Sequence, residues 1–216
     1  MSITFYYGSG SPPAWRVWLA LEYKQLNYEF RLMSFDAGDL KRPEFLALNP
    51  RGRVPTILDG DFALYEANAI VEYLEEQYPA TPQLFPGNTR DRARVRRWVS
   101  EIDDGCAGAV HDLAVEVFGA AKEPGDSARI AAARAAVLAE LAIIEPLMQG
   151  DHLAGDHITA ADFALYPQVA MLARLDMKDP SLALAADCPR RIRDWAARIE
   201  ALPFFGKTIP PHWRSR

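Results

Sequence analysis

The chain has 216 residues, half of them hydrophobic and a quarter charged, with a formal net charge of −5. That length accommodates one large or two small domains around a sizeable core, and the charge excludes a global basic footprint for nucleic acid. Two cysteines, Cys106 and Cys188, stand in no metal-like or redox-like spacing, which argues against a disulfide scaffold and suits a reducing compartment. The opening MSITFYYGSGS carries no signal-peptide pattern, and no apolar run approaches the ~20 residues of a membrane helix. The expectation is a cytoplasmic protein with neither a nucleic-acid nor a membrane partner.

Ile3 to Tyr7 is a β-branched and aromatic run that reads as a strand. Gly8-Ser9-Gly10-Ser11-Pro12-Pro13 breaks it. A helix follows from Ala14, with Ala14, Val17, Trp18 and Leu21 at the spacing of one face. The prolines at its entry suit a first turn, where a missing N–H costs little. Tyr28 to Met33 reads as a second strand, completing a βαβ unit expected to be parallel. A short helical stretch is expected around Pro43 to Leu48.

The stretch from Asn49 to Leu74, NPRGRVPTILDGDFALYEANAIVEYL, organises what surrounds it. Thr56-Ile57-Leu58 and Phe62-Ala63-Leu64-Tyr65 flank Asp59-Gly60-Asp61, a strong hairpin signal. A helix starts near Glu66 and ends by Tyr78-Pro79. Val54-Pro55 precedes one strand, and Glu66-Ala67 marks where the other hands over to a helix. Together they offer a backbone edge and a helix N-terminus to a small anionic peptide. The order βαβαββα predicts an α/β thioredoxin-like domain with a mixed sheet over residues 1–79.

Residues 80–89 are rich in proline and turn formers and read as a linker. Residues 90–216 read as an all-helical bundle. Val95, Trp98, Val99, Ile102, Cys106, Ala109, Val110 and Leu113 form one long stripe. Phe163 to Leu172 is apolar nearly all round, as expected of a central helix. In Ile158-Thr159-Ala160-Ala161-Asp162-Phe163, Asp162 is spaced to reach back to the Thr159 N–H in a capping box, with Ile158 and Phe163 at the staple positions. Pro167 inside this helix should kink it. His111, His152, His157 and His212 form no metal-ligand spacing, and no metal is expected.

Three segments carry a family resemblance: SPPAWRVWLALE, NPRGRVPTILDGDFALYEANAIVEYL, and GDHITAADFALYPQVA with the later CPRRIRDWAARIEALPFF. The chain resembles cytosolic-type glutathione transferases over essentially its whole length, most nearly the bacterial and the serine-using theta, delta, phi and zeta members. The resemblance implies a cis Val54–Pro55 bond, with the Val54 backbone pairing the cysteinyl part of glutathione. It implies that Glu66 meets the γ-glutamyl ammonium and that the Ala67 N–H meets its carboxylate at a helix N-terminus. Serine is usual at the position of Ala67, so a hydroxyl hydrogen bond is missing here. Arg53 matches a position that holds the glycyl carboxylate.

The same resemblance requires a group that makes glutathione a thiolate. A free thiol of pKa ~8.5 is only about 3% ionised at pH 7, and lowering it to ~6.5 takes about 2.7 kcal/mol. A hydroxyl donor and a helix N-terminus are suitable sources. Setting Pro13 and Val17 against the serine-class pattern puts Ser11 in the catalytic slot, with Ser9 as backup; Tyr6, Tyr7 or a backbone-only site remain as alternatives. The loop has no cysteine, which disfavours branches whose chemistry runs through a mixed disulfide. A hydrophobic electrophile is expected between the domains, with Trp15, His111, Phe118 and Trp213 as candidate walls. The family is also almost always homodimeric.

The leading expectation is therefore glutathione S-transfer to a small hydrophobic electrophile. The alternatives are a maleylacetoacetate-type isomerase, a glutathione-dependent peroxidase or disulfide reductase, and a non-catalytic glutathione-transferase-like binding protein.

Overall fold

The computed structural model describes residues 2–119 and 127–214. The chain divides into two compact units, Met1–Phe85 with Leu202–Arg216, and Pro86–Ala201.

The first unit runs β1 (Ile3–Gly8), α1 (Pro12–Tyr23), β2 (Tyr28–Met33), α2 (Pro43–Leu46), β3 (Thr56–Asp59), β4 (Phe62–Tyr65) and α3 (Ala67–Gln77). Its four-stranded sheet has the order β2-β1-β3-β4. β1 pairs parallel with β2 and antiparallel with β3, and β3 pairs antiparallel with β4. This is the expected mixed, thioredoxin-like sheet. Alternation along β1 buries Ile3, Phe5 and Tyr7, because successive side chains point to opposite faces. On the other face Tyr6 packs against Phe45 of α2, with ring centroids 5.6 Å apart. Helices α1 and α3 pack on each other. Their far ends are tied by a buried ion pair, Lys24 Nζ to Glu75 Oε2 at 2.8 Å.

The second unit holds α4 (Thr89–Glu101), α5 (Ala107–Gly119), α6 (Ser127–Leu147), α7 (Ala160–Lys178), α8 (Leu184–Asp187) and α9 (Arg190–Glu200). Helix α7 is its axis: Ala160 to Gln168 are all buried, and α4 and α5 pack against it. Asp162 is wholly buried and accepts the Thr159 N–H at 2.8 Å, closing the expected reach-back to the helix start. It also accepts the Leu153 N–H at 3.1 Å and the Trp195 indole N–H at 2.8 Å. The helix continues through Pro167 to Lys178.

Two findings differ from the sequence reading. The long stripe from Val95 to Leu113 is not one α-helix; Ile102–Cys106 forms a π-helical turn between α4 and α5. Gly105 lies in it, where a Cβ would stand 2.4 Å from a Glu140 carboxylate oxygen, so the wider turn coincides with a close approach that periodicity does not register. The segment from Leu202, expected with the helical half, groups with the first unit. There α10 (Phe205–Thr208) packs against α1. Thr208 Oγ1 accepts the Trp15 indole N–H at 3.1 Å, and Lys207 Nζ reaches Glu22 at 3.3 Å.

Candidate active site

Sheet register gathers the predicted residues of the first unit at one end. Tyr6 lies opposite Thr56, and Thr56 lies opposite Tyr65. The residues just beyond those partners, Gly8 to Ser11, Arg53 to Pro55, and Glu66-Ala67, therefore emerge from the same edge. Gly8 touches Val54 so closely that a Cβ on it would stand 2.7 Å from Val54 Cγ2.

The Val54–Pro55 peptide is cis. A buried asparagine shapes the turn before it. Asn49 Nδ2 donates to the Arg53 carbonyl at 2.8 Å and to Thr56 Oγ1 at 3.0 Å, while Asn49 Oδ1 accepts the Arg51 N–H at 2.9 Å. Thr56 Oγ1 closes the ring on the same Arg53 carbonyl at 3.1 Å. Asn49 marked only the start of the stretch in the sequence. Its place directly before Pro50 and close to Gly52, where an asparagine side chain bonds the backbone two residues on, was the signal available. Arg53 is exposed, so its guanidinium faces solvent beside the fixed Val54 backbone.

Glu66 sits at φ 71° and ψ 115°. A non-glycine residue with positive φ carries about 1–3 kcal/mol of backbone strain and persists where its surroundings impose it. The side chain is exposed, and α3 begins immediately after it with no side-chain cap. By contrast, α4 is capped by Asn88, whose Oδ1 accepts the Arg90 N–H at 2.8 Å. The first turn of α3 thus keeps its positive end open to an anion. Arg16 of α1, itself buried, donates to Asn68 Oδ1 in that first turn and ties the two helix starts together.

Ser11 is the N-cap of α1, and its Oγ accepts the Ala14 N–H at 3.4 Å. The amides of this helix start are otherwise spent. Pro12 and Pro13 have none, and the Trp15 N–H goes to the Ser11 carbonyl at 2.9 Å. An anion here finds the helix dipole but no spare backbone donor among residues 12–15, so a direct hydrogen bond has to come from a hydroxyl. A serine hydroxyl that accepts one N–H still has its own proton to donate. Ser9 lies half-buried in the same turn. Tyr7 is buried in the core beneath Trp18, with ring centroids 4.9 Å apart, and burial pushes its phenol above the ordinary range.

The expected electrophile-side residues fall in two places. In the first unit Trp15 is buried, with Trp213 edge-on to it at 5.2 Å. In the second unit His111 and Phe118 lie exposed on α5. Among the described residues, no cluster of three or more His, Cys, Asp or Glu side chains is placed to hold a metal, and no helix is long and apolar enough to cross a membrane.

The sequence matches the family descriptions "Glutathione S-transferase, N-terminal domain" over residues 5–82 and "Glutathione S-transferase, C-terminal domain" over residues 109–203. A Vibrio cholerae protein named "Probable maleylacetoacetate isomerase" is 30% identical over 221 residues, spanning 97% of this chain and 96% of its own. A glutathione S-transferase structure from the Antarctic clam Laternula elliptica is 33% identical with a TM-score of 0.82, spanning 100% of this chain and 95% of its own. A glutathione transferase from Burkholderia graminis, solved with two glutathione molecules bound per subunit, is 25% identical with a TM-score of 0.86, spanning 99% and 90%. Both halves match, and relatives at these identities extend along nearly the whole chain: it belongs to the glutathione S-transferase family.

Proposed function

We propose that this enzyme is a glutathione transferase that holds glutathione at the sheet end of its first unit and presents the sulfur as thiolate to a small hydrophobic electrophile. The observation that carries the reading is the convergence of three backbone features at one edge: the start of α1 behind Ser11, the cis Val54–Pro55 turn, and the uncapped start of α3 behind Glu66. In this reading the Val54 N–H and C=O pair with the cysteinyl residue. Glu66 takes the ammonium and the Ala67 N–H takes the carboxylate of the γ-glutamyl end. Arg53 takes the glycyl carboxylate, where a guanidinium suits two-oxygen recognition. Ser11 keeps its hydroxyl proton and donates a hydrogen bond to the sulfur, whose own proton leaves to solvent.

Calorimetry with glutathione tests binding, and conjugation to an aryl halide tests transfer. We expect binding with a detectable thiolate absorbance, and turnover with the halide. Absence of heat and of retention on a glutathione resin would overturn the reading.

A second reading is favoured by the relative named as an isomerase. A thiolate that adds to an activated cis double bond, and is expelled after rotation, isomerises its substrate with the same glutathione site. The loop Ser11-Pro12-Pro13 offers no thiol of its own for that chemistry. Turnover of maleylacetone exceeding that of the halide would favour isomerase over transferase.

A further inference from the structure

The Gly8–Ser11 turn is held from outside by the end of the chain. The Ser11 N–H bonds to the Gly8 carbonyl at 3.1 Å, placing Ser9 and Gly10 at the turn's tip, with Gly10 at φ +82°. The short 3-10 turn Pro211–Trp213 lies over that tip. A Cβ on Gly10 would meet His212 Cε1 at 2.9 Å. His212 Nδ1 is 2.5 Å from Ser9 Oγ, and the Trp213 indole Nε1 is 2.8 Å from His212 Nε2. Trp213 stands edge-on to the buried Trp15, and Trp15 is anchored in turn on Thr208. The Trp213 N–H bonds to the Pro210 carbonyl at 2.8 Å.

These contacts fix the direction of every hydrogen bond in the chain. An indole nitrogen can only donate, so His212 Nε2 must accept and therefore carries no proton. In the neutral ring the proton is then on Nδ1, which donates to Ser9 Oγ. The serine oxygen becomes an acceptor there, and its own O–H is left to donate elsewhere. Donors that run in one direction polarise one another and strengthen the last bond by roughly 10–30%.

We propose that Ser9 is a second hydroxyl donor to the glutathione sulfur, and that His212 and Trp213 are positioning residues that orient and polarise it. This rests on the glutathione reading above. Gly8, directly before Ser9, abuts Val54, the residue assigned to the cysteinyl part of the ligand. Ser11 acts from the helix cap and Ser9 from the turn tip, so the sulfur receives two donors in a place where α1 offers no spare amide. No covalent bond changes: the thiol proton leaves to solvent, and Ser9 keeps its own.

The test has two arms. Nitrogen-15 NMR of His212 in the ligand-free protein should report the Nδ1–H tautomer, and Trp213→Phe should abolish that preference. Ultraviolet titration of bound glutathione should place the thiol pKa about half a unit higher in His212→Ala than in the wild type. His212→Asn, whose amide nitrogen can replace Nδ1 as the donor to Ser9, should restore most of the difference. Ser9→Ala should raise the pKa further, and His212→Ala added to it should then do nothing more. The Nε2–H tautomer, or an unchanged thiol pKa in His212→Ala or in Ser9→Ala, would overturn the proposal, with melting temperatures confirming that each variant is folded. If the wild type binds no glutathione, the function proposed above falls and this role with it. If only the Ser11 variant moves the thiol pKa, this role alone falls.

Discussion

Gly8 and Val54 meet with no room between them for even a methyl group. A Cβ on Gly8 would lie 2.7 Å from Val54 Cγ2 and 2.5 Å from Phe35 Cζ. Phe35 is exposed and can swing away. Val54 cannot do so easily, because its β-branched side chain is stiff and Asn49 holds the preceding carbonyl. Gly8→Ala should therefore push the Val54 backbone outward. Overpacking of this kind costs about 1–3 kcal/mol, and glutathione affinity should drop about tenfold by calorimetry. Val54→Ala in the same chain should recover most of the loss; failure to recover would place the damage elsewhere.

Ser11 caps α1 and, in the function proposed above, also offers its hydroxyl to the sulfur. Ser11→Ala should cost about 1 kcal/mol of stability through the lost cap and should raise the bound thiol's pKa by about a unit or more. Ser11→Thr keeps both groups and should restore both properties. Ser11→Asp keeps a cap acceptor but, ionised, offers no donor, so stability should return while the thiolate absorbance stays low. A thiol pKa unmoved by Ser11→Ala would remove Ser11 from the chemistry.

The sequence made the first unit legible because its signals are local. The Asp59-Gly60 hairpin, the proline-led α1 and the Glu66 helix start all depend on near neighbours, and together they imply the register that gathers the site. Arg16 and His212 act instead through partners that no spacing rule reaches. Arg16 and Asn68 are 52 positions apart, and Ser9 and His212 are 203 apart. His212 looked like one of four unrelated histidines because its meaning lies in the docking of the chain end on the first unit. The π-helical turn was equally hidden, since its own end residues, Ile102 and Cys106, continue the apolar stripe.

Ala67 is the first residue of α3, and its side chain adds no hydrogen-bond donor to the uncapped helix start. Ala67→Ser adds a hydroxyl beside the backbone N–H assigned to the γ-glutamyl carboxylate. A hydrogen bond to a charged group contributes about 1.5–3 kcal/mol, so glutathione should bind about tenfold or more tightly by calorimetry. Unchanged affinity would mean that the carboxylate is already fully held, and would direct attention to the Asn68 amide next to it.

Lys24 and Glu75 should govern the acid stability of the first unit. Burial alone disfavours a charged Glu75. The N–H groups of Leu84 and Phe85, at 2.9 and 3.1 Å, and the Lys24 ammonium outweigh that and hold the carboxyl below its ordinary value of 4.5. A carboxyl depressed on folding stabilises the fold at pH values above its unfolded pKa, and the gain disappears as pH falls through the lower folded value. The melting temperature should accordingly fall below about pH 4.5 in the wild type. Glu75→Gln should remove this contribution to the acid slope. It should also cost about 3 kcal/mol or more near neutral pH, because Lys24 is left buried without its counter-charge. The double change Lys24→Met with Glu75→Leu removes both charges and should recover much of that stability. Thermal melts of the three proteins across pH 3 to 8 check this, and an unaltered acid slope in Glu75→Gln would assign it to other carboxylates.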